Sequence, residues 1–276
     1  MYDSLTRGST EWEVYLPRGN LGAKMLSKEF RDPVLFLTLN RPEVRNAFND
    51  ELISALTEVF THLPPGTRAV VLTGEGAAFC AGGDLAWMRR AAAYTKQENF
   101  DDAMRLAMLF GIIQTCDAVV IARVNGAAFG GGCGLVAAAD LAVASADAKF
   151  AFSEVKLGLI PATIAPFVLK KVGPGHARAL FTTGEVFGAD RAFEIGLVHQ
   201  VVPHTDLDAA VDTKISAVLA AGPNATVAAR DLTLDELPGP DETARRLAAA
   251  RASEEGKEGV AAFLEKRKAE WVRPWP

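Results

Sequence analysis

The chain has 276 residues, of which 49% are apolar, enough to bury a full core in one domain or one domain with a small appendage. Its formal net charge of −5 weighs against general nucleic-acid binding, so an anionic ligand must be held by local features. Three cysteines without CxxC spacing exclude a disulfide framework and a zinc signature, and no run reaches the roughly 18 uninterrupted apolar residues of a membrane span. A cytoplasmic protein with reduced thiols is expected, without membrane or nucleic-acid partners. Residues 1–24 show no clear period and read as an N-terminal extension or an appended leader.

From there the elements follow in order. Residues 34–39 form a β-branched, apolar run closed by Asn40-Arg41-Pro42, which predicts a strand ending in a proline turn. Asn49-Asp50 caps a helical pattern with Leu52, Ile53, Leu56 and Phe60 on one face. Residues 69–72 predict a buried strand, as do 119–124, which run into Asn125-Gly126, a glycine cluster and a small-residue helix over 132–139. Short strands at 141–144 and 150–152 precede a mainly helical remainder, broken at Gly173-Pro174-Gly175 and at Pro203. Alternating strands and helices followed by helices predict an α/β core over residues 25–205 and a helical section over 206–276.

Two of the connections are rich in glycine: Phe79-Cys80-Ala81-Gly82-Gly83-Asp84-Leu85 and Gly130-Gly131-Gly132-Cys133-Gly134. A strand that stops in such a turn and restarts as a helix leaves backbone N–H groups free, and the helix dipole adds partial positive charge there. If the amides of Gly83 and Gly131 converge, they form a two-donor oxyanion hole. A close-packing turn is the plain alternative. A dinucleotide site is not, because the GxGxxG spacing is broken. Cys80 has no histidine nearby in sequence and reads as a small apolar residue rather than a nucleophile.

These two turns, the strand end Leu39-Asn40-Arg41-Pro42 with Asn46-Ala47-Phe48-Asn49, and the segment Ser153-Glu154-Val155-Lys156-Leu157-Gly158-Leu159-Ile160-Pro161 resemble the enoyl-CoA hydratase/isomerase (crotonase) superfamily from about residue 28 to the C-terminus. That resemblance implies an α/β spiral of ββα turns with a C-terminal helical trimerisation region, assembled as a homotrimer or a dimer of trimers. It also implies an acyl-CoA thioester substrate. Coenzyme A is then part of the substrate, and neither a separate cofactor nor a metal is expected.

Carried over residue by residue, Gly83 and Gly131 take the oxyanion-hole positions and Glu154 that of a catalytic glutamate. Arg45 and Ala47 fall in the region lining the adenine pocket, and Phe263 and Lys266 on tail positions that reach the CoA of a neighbouring subunit. Ala81, Asp84, Leu85, Pro161 and Ala162 fall along the substrate path, with the Ala162 amide able to hold the attacking water. Thr163 is expected to cap the helix that follows, with a bond to a polar acyl group as the alternative.

The hydratases' other glutamate falls on Gly134, which has no side chain. One carboxylate alone suits a Δ3,Δ2-enoyl-CoA isomerase. Three segments, residues 81–90, 125–131 and 151–162, are instead most similar to the bacterial methylglutaconyl-CoA hydratase branch of leucine or isovalerate catabolism, which also carries glycine there. Space left at Gly134 would admit the carboxylate of such a branched acidic acyl group. A hydro-lyase on that substrate is the leading expectation. An isomerase, a dehydratase of acyl-carrier-protein thioesters in polyketide β-branching and a non-enzymatic RNA-binding member stay open.

Overall fold

The computed structural model describes residues 25–234 and 238–276, so the expected N-terminal extension over 1–24 lies outside the described residues. An antiparallel hairpin, β1 (Leu26–Arg31) and β2 (Val34–Leu39), opens the fold. Helix α1 (Asp50–Thr61) follows, with the Asn49 side chain accepting the Leu52 N–H at its start and Leu52, Ile53, Leu56 and Phe60 buried. The chain then winds as a spiral in which consecutive strands enter different sheets: β3 (Ala69–Gly74) then β4 (Ala78–Cys80), β5 (Val119–Val124) then β6 (Ala127–Phe129), and β7 (Leu141–Ser145) then β8 (Lys149–Ala151). With β9 (Phe187–Gly188) and β10 (Gln200–Val202), the larger sheet runs β1-β2-β3-β5-β7-β10 and the smaller β4-β6-β8-β9.

From β2 through β10 the larger sheet is parallel, and its inner strands are buried on both faces, which is why they read as unbroken apolar runs. One face packs against the main core, to which α1, α3 (Lys96–Thr115), α4 (Gly131–Ala138) and α5 (Ala165–Thr183) contribute. On the other face Val34, Val71, Ile121 and Val143 meet Leu207, Val211 and Ile215 of α7 (Leu207–Ala220).

Two elements go beyond the sequence expectations. In β1 only Leu26 is buried, so an edge strand with an exposed polar face shows no apolar alternation. Helix α3 has little amphipathic contrast, yet its start is marked by a capping box between Thr95 and Glu98. The expected break at Gly173-Pro174-Gly175 is a kink at Gly173 inside α5. Beyond residue 206 the described chain is mainly helical, with α7, α8 (Pro223–Asp231), α9 (Pro240–Ala252) and α10 (Glu254–Leu264), and residues 265–276 follow without a further helix.

Candidate active site

Phe48 brings the two glycine turns together. Its N–H donates to Gly82 O (2.7 Å) and its carbonyl accepts from Asp84 N–H (2.8 Å), a short parallel bridge that brackets Gly83. The Phe48 ring lies across Gly131, where an added Cβ would come within 2.9 Å of Cε2. Strands β4 and β6 are hydrogen-bonded neighbours, and a Cβ on Gly82 would stand 3.0 Å from Phe129 O and 3.9 Å from Gly130 Cα. The turns therefore sit side by side. Neither Gly83 N–H nor Gly131 N–H has an acceptor among the described residues. Gly131 is the first residue of α4, so its amide is one of the free donors at a helix N-terminus.

Glu154 faces this helix start. It lies in a 3-10 turn (Ser153–Leu157) directly after β8, and β8 pairs with β6, the strand that leads into Gly130. Gly130 adopts φ 49°, and a Cβ there would lie 3.1 Å from Glu154 Oε1; glycine permits both the backbone conformation and the approach of the carboxylate. Glu154 Oε2 is buried without a hydrogen-bond partner. Burial pushes the carboxyl above the usual glutamate range, only partly offset by its own backbone N–H. A desolvated, unpaired acid beside free amide donors can pass protons to and from a substrate whose oxyanion those donors hold.

Four expectations need correction. No space is vacant at Gly134: an added Cβ would collide with Ile164 Cγ2 and stand 2.7 Å from Phe110 Cζ, and both side chains are wholly buried. An acyl carboxylate does not fit there. The Ala162 N–H is not free for water, because it donates to Ile160 O at 2.8 Å. Thr163 does not cap α5; the capping residue is Ile164, and no side chain bonds the helix start. Asp84 is committed to the fold rather than to ligand. Its Oδ1 accepts the Ala86 and Trp87 amides at the start of α2 (Leu85–Ala91), and its Oδ2 pairs with Arg41 Nη2 at 2.6 Å. Burial pushes the Asp84 carboxyl up, but the Arg41 bond and these amides together hold it below the usual range.

The remaining predicted residues are spread over two regions. Arg45, exposed and at φ 54°, gives its carbonyl to Ala81 N–H (3.0 Å), so these two are joined across the loop, with buried Ala47 beside them. Ala47 O accepts from Arg41 Nη1 (2.5 Å). Leu85, at the start of α2, is 78% exposed, whereas Pro161 is buried. Phe263, 82% exposed, and Lys266 sit at the end of α10, which within one chain packs on α8 and α9. All three cysteines are free and buried, and burial raises the Cys80 thiol to about 12 and Cys116 to about 11. They are inert at neutral pH.

The sequence patterns assign no role to Arg41, Asn46 or Phe110. Arg41 and Asn46 hold the loop: Asn46 accepts Arg41 N–H (2.9 Å) and donates to Glu75 O (2.9 Å) and Ala78 O (2.8 Å). Phe110 closes the space at Gly134. Arg41 next to Pro42 was a visible signal for the first pair; nothing local marks Phe110.

The family model described as enoyl-CoA hydratase/isomerase matches residues 29–274. A crotonyl-CoA hydratase of Syntrophomonas wolfei is 34% identical over 257 residues, covering 90% of this chain and 97% of the relative. Among solved structures, an enoyl-CoA hydratase from Shewanella pealeana aligns with a TM-score of 0.86 and 35% identity, covering 95% of this chain and 100% of that one. One from Mycobacterium smegmatis aligns with a TM-score of 0.84 and 36% identity, over 90% and 99% of the two chains.

Proposed function

The chain belongs to the enoyl-CoA hydratase/isomerase family and is an enzyme of enoyl-CoA thioesters, and from that premise we propose that it adds water to, or removes it from, a branched acidic enoyl-CoA of the 3-methylglutaconyl type. The observation that carries the chemistry is the buried, unpartnered Oε2 of Glu154 beside the α4 N-terminus. In the hydration direction the thioester oxygen accepts from the Gly83 and Gly131 N–H groups. The Glu154 carboxylate takes a proton from water as the water oxygen bonds to Cβ, and the double-bond electrons move onto the thioester as an enolate. Protonated Glu154 then gives the proton to Cα. Its raised pKa suits it to that return step.

Support for the branched acidic acyl group comes from the likeness of residues 81–90, 125–131 and 151–162 to one branch of the family. A second reading, a Δ3,Δ2-enoyl-CoA isomerase, is favoured by the apolar surroundings of Gly134, which leave Glu154 as the acid–base group at the α4 N-terminus. Wild type and Glu154→Gln assayed on 3-methylglutaconyl-CoA, crotonyl-CoA and a 3-enoyl-CoA separate the two. Preferential hydration of the first is expected. Equal or better use of crotonyl-CoA removes the acidic-substrate reading, and a conjugated product without hydration from the 3-enoyl-CoA replaces it with the isomerase.

Assembly as a trimer or a dimer of trimers is part of the same proposal, supported by Val260, Phe263 and Leu264, exposed together on α10. Sedimentation equilibrium tests it. Three free buried cysteines fit the reducing cytoplasm. No helix among the described residues is long and apolar enough to cross a membrane.

A further inference from the structure

Helix α2 buries none of its residues, so individual side-chain contacts rather than an apolar face hold it in place. At its start Asp84 pairs with Arg41, and in its last turn Arg90 Nη2 reaches Asp50 Oδ2 at the start of α1 (2.7 Å). Between these ends Trp87 and Met88, both half-buried, fold back onto Gly83. A Cβ on Gly83 would stand 3.3 Å from Met88 Cγ and Sδ and 3.4 Å from Trp87 Cζ3. The bridge to Phe48 holds Gly82 and Asp84, the neighbours of Gly83 in the chain. Gly83 has no side chain of its own to anchor it, and a ring packed on it narrows the wide choice of backbone conformation open to glycine.

The Trp87 ring is oriented in turn by α3. Its indole N–H donates to Asp102 Oδ1 (3.4 Å), and the same oxygen accepts from Arg105 Nη2 (2.7 Å). That Arg105 nitrogen also stands 3.7 Å from Asp50 Oδ1, which joins the start of α1 to the same group of charges. Asp84 and Asp102, each 7% exposed, are the two charged residues buried among the described residues, and both act on α2. A carboxylate is buried at a cost that only a partner offsets, and each has an arginine to supply it.

We propose that Trp87 is a positioning residue that keeps the Gly83 N–H aimed into the site, and that Asp102 on α3 sets the Trp87 ring for that task. The inference rests on the reading that Gly83 N–H holds the thioester oxygen, and it adds what keeps that donor in place. A donor stabilises a developing oxyanion only as far as it is preorganised, so a ring that swings away from Gly83 loosens the hole without removing it. Neither Trp87 nor Asp102 moves a proton in this scheme.

The test uses the full-length protein, Tm measured alongside, and whichever of 3-methylglutaconyl-CoA, crotonyl-CoA and a 3-enoyl-CoA the wild type converts fastest. Trp87→Leu is expected to lower kcat about tenfold, less than the roughly 10²–10³-fold lost with a whole donor, with KM and Tm nearly unchanged. Trp87→Phe, which keeps a ring on Gly83, retains most of the rate. Asp102→Ala lowers kcat about threefold, and this loss vanishes in a Trp87→Phe background, where no indole N–H remains for Asp102 to hold. Saturating 4-dimethylaminocinnamoyl-CoA reads the donors directly, because this donor–acceptor chromophore absorbs further to the red as its thioester oxygen accepts hydrogen bonds. Wild type shifts it to the red, and Trp87→Leu shifts it about half as far. No shift in wild type overturns the Gly83 reading itself. A full shift in Trp87→Leu leaves that reading standing and overturns the positioning role, even if kcat falls in step with Tm, since that is the behaviour of a structural prop. A loss confined to KM overturns it too, because Trp87 is then a substrate contact. An Asp102→Ala loss that persists undiminished in Trp87→Phe removes Asp102 from the scheme.

Discussion

A buried carboxyl such as Glu154 costs stability when it is ionised. Its pKa is raised in the folded chain by burial, so folding favours the protonated form. That contribution is full below the ordinary value of 4.5 and is lost as pH rises through the folded value. Above that folded value the site holds a desolvated charge that costs stability. Glu154→Gln is expected to raise Tm relative to wild type at pH 8 and to do so less, or not at all, at pH 4, while kcat falls roughly 10²–10⁴-fold. Calorimetric scans at the two pH values check the first part, and a Tm gain larger at pH 4 would falsify it. Gly134 carries the opposite lesson. Gly134→Glu drives a side chain into Ile164 and Phe110 and buries a carboxylate, so a loss of about 3 kcal/mol in urea unfolding is expected, without gained hydration of crotonyl-CoA. Adding Ile164→Ala should recover part of that loss. The glycine was legible in the sequence, but what fills its space comes from α3 and from the turn before α5. Only the folded packing brings these residues together.

Between elements, the Gly82-Gly83 turn depends on α2 being started correctly. Asp84 does this by capping two amides and pairing with Arg41, with both side chains of the pair nearly buried at 9% and 12% exposed. Asp84→Ala removes cap and counter-charge together and is expected to cost about 3 kcal/mol. Asp84→Asn keeps an oxygen for the Ala86 amide and should cost less. Urea midpoints of the two variants decide it, and equal losses would mean that the cap contributes nothing. The same scale shows why some elements were readable. Strands β2, β3 and β5 are buried on both faces or nearly so, and their apolar runs announce them. Strand β1 is an edge with one buried residue, and α3 is long but weakly amphipathic, so neither prints its period on the sequence. The Asp84 aspartate was legible as a motif residue; that its work is structural became clear only with Arg41 placed beside it.

At the scale of the whole molecule, the last residues are bound to the first strands of the larger sheet. Trp275 stacks on Phe36 of β2 with ring centroids 6.1 Å apart, and its indole N–H donates to Asp212 of α7 (2.8 Å). Arg68, one residue before β3, donates to the carbonyls of Val218, Leu219 and Ala221 at the end of α7 and to Trp271 in the tail. A single guanidinium thus bonds several carbonyls at a helix C-terminus and ties them to the segment that supports α10. The spiral core and the helical C-terminal section, separable in composition, are joined by this contact, which no local pattern near residue 68 foretells. Arg68→Met keeps the apolar stem and removes the donors, and a loss of about 2 kcal/mol is expected in urea unfolding. Arg68→Lys should recover only a small part, because an ammonium cannot fork to four carbonyls at once. Hydrogen exchange distinguishes this from a general loss of stability. Amides of residues 271–273 should exchange faster in Arg68→Met while those of β3 and β5 keep the protection set by global unfolding. Uniform acceleration across sheet and tail would show that Arg68 stabilises the core rather than the junction.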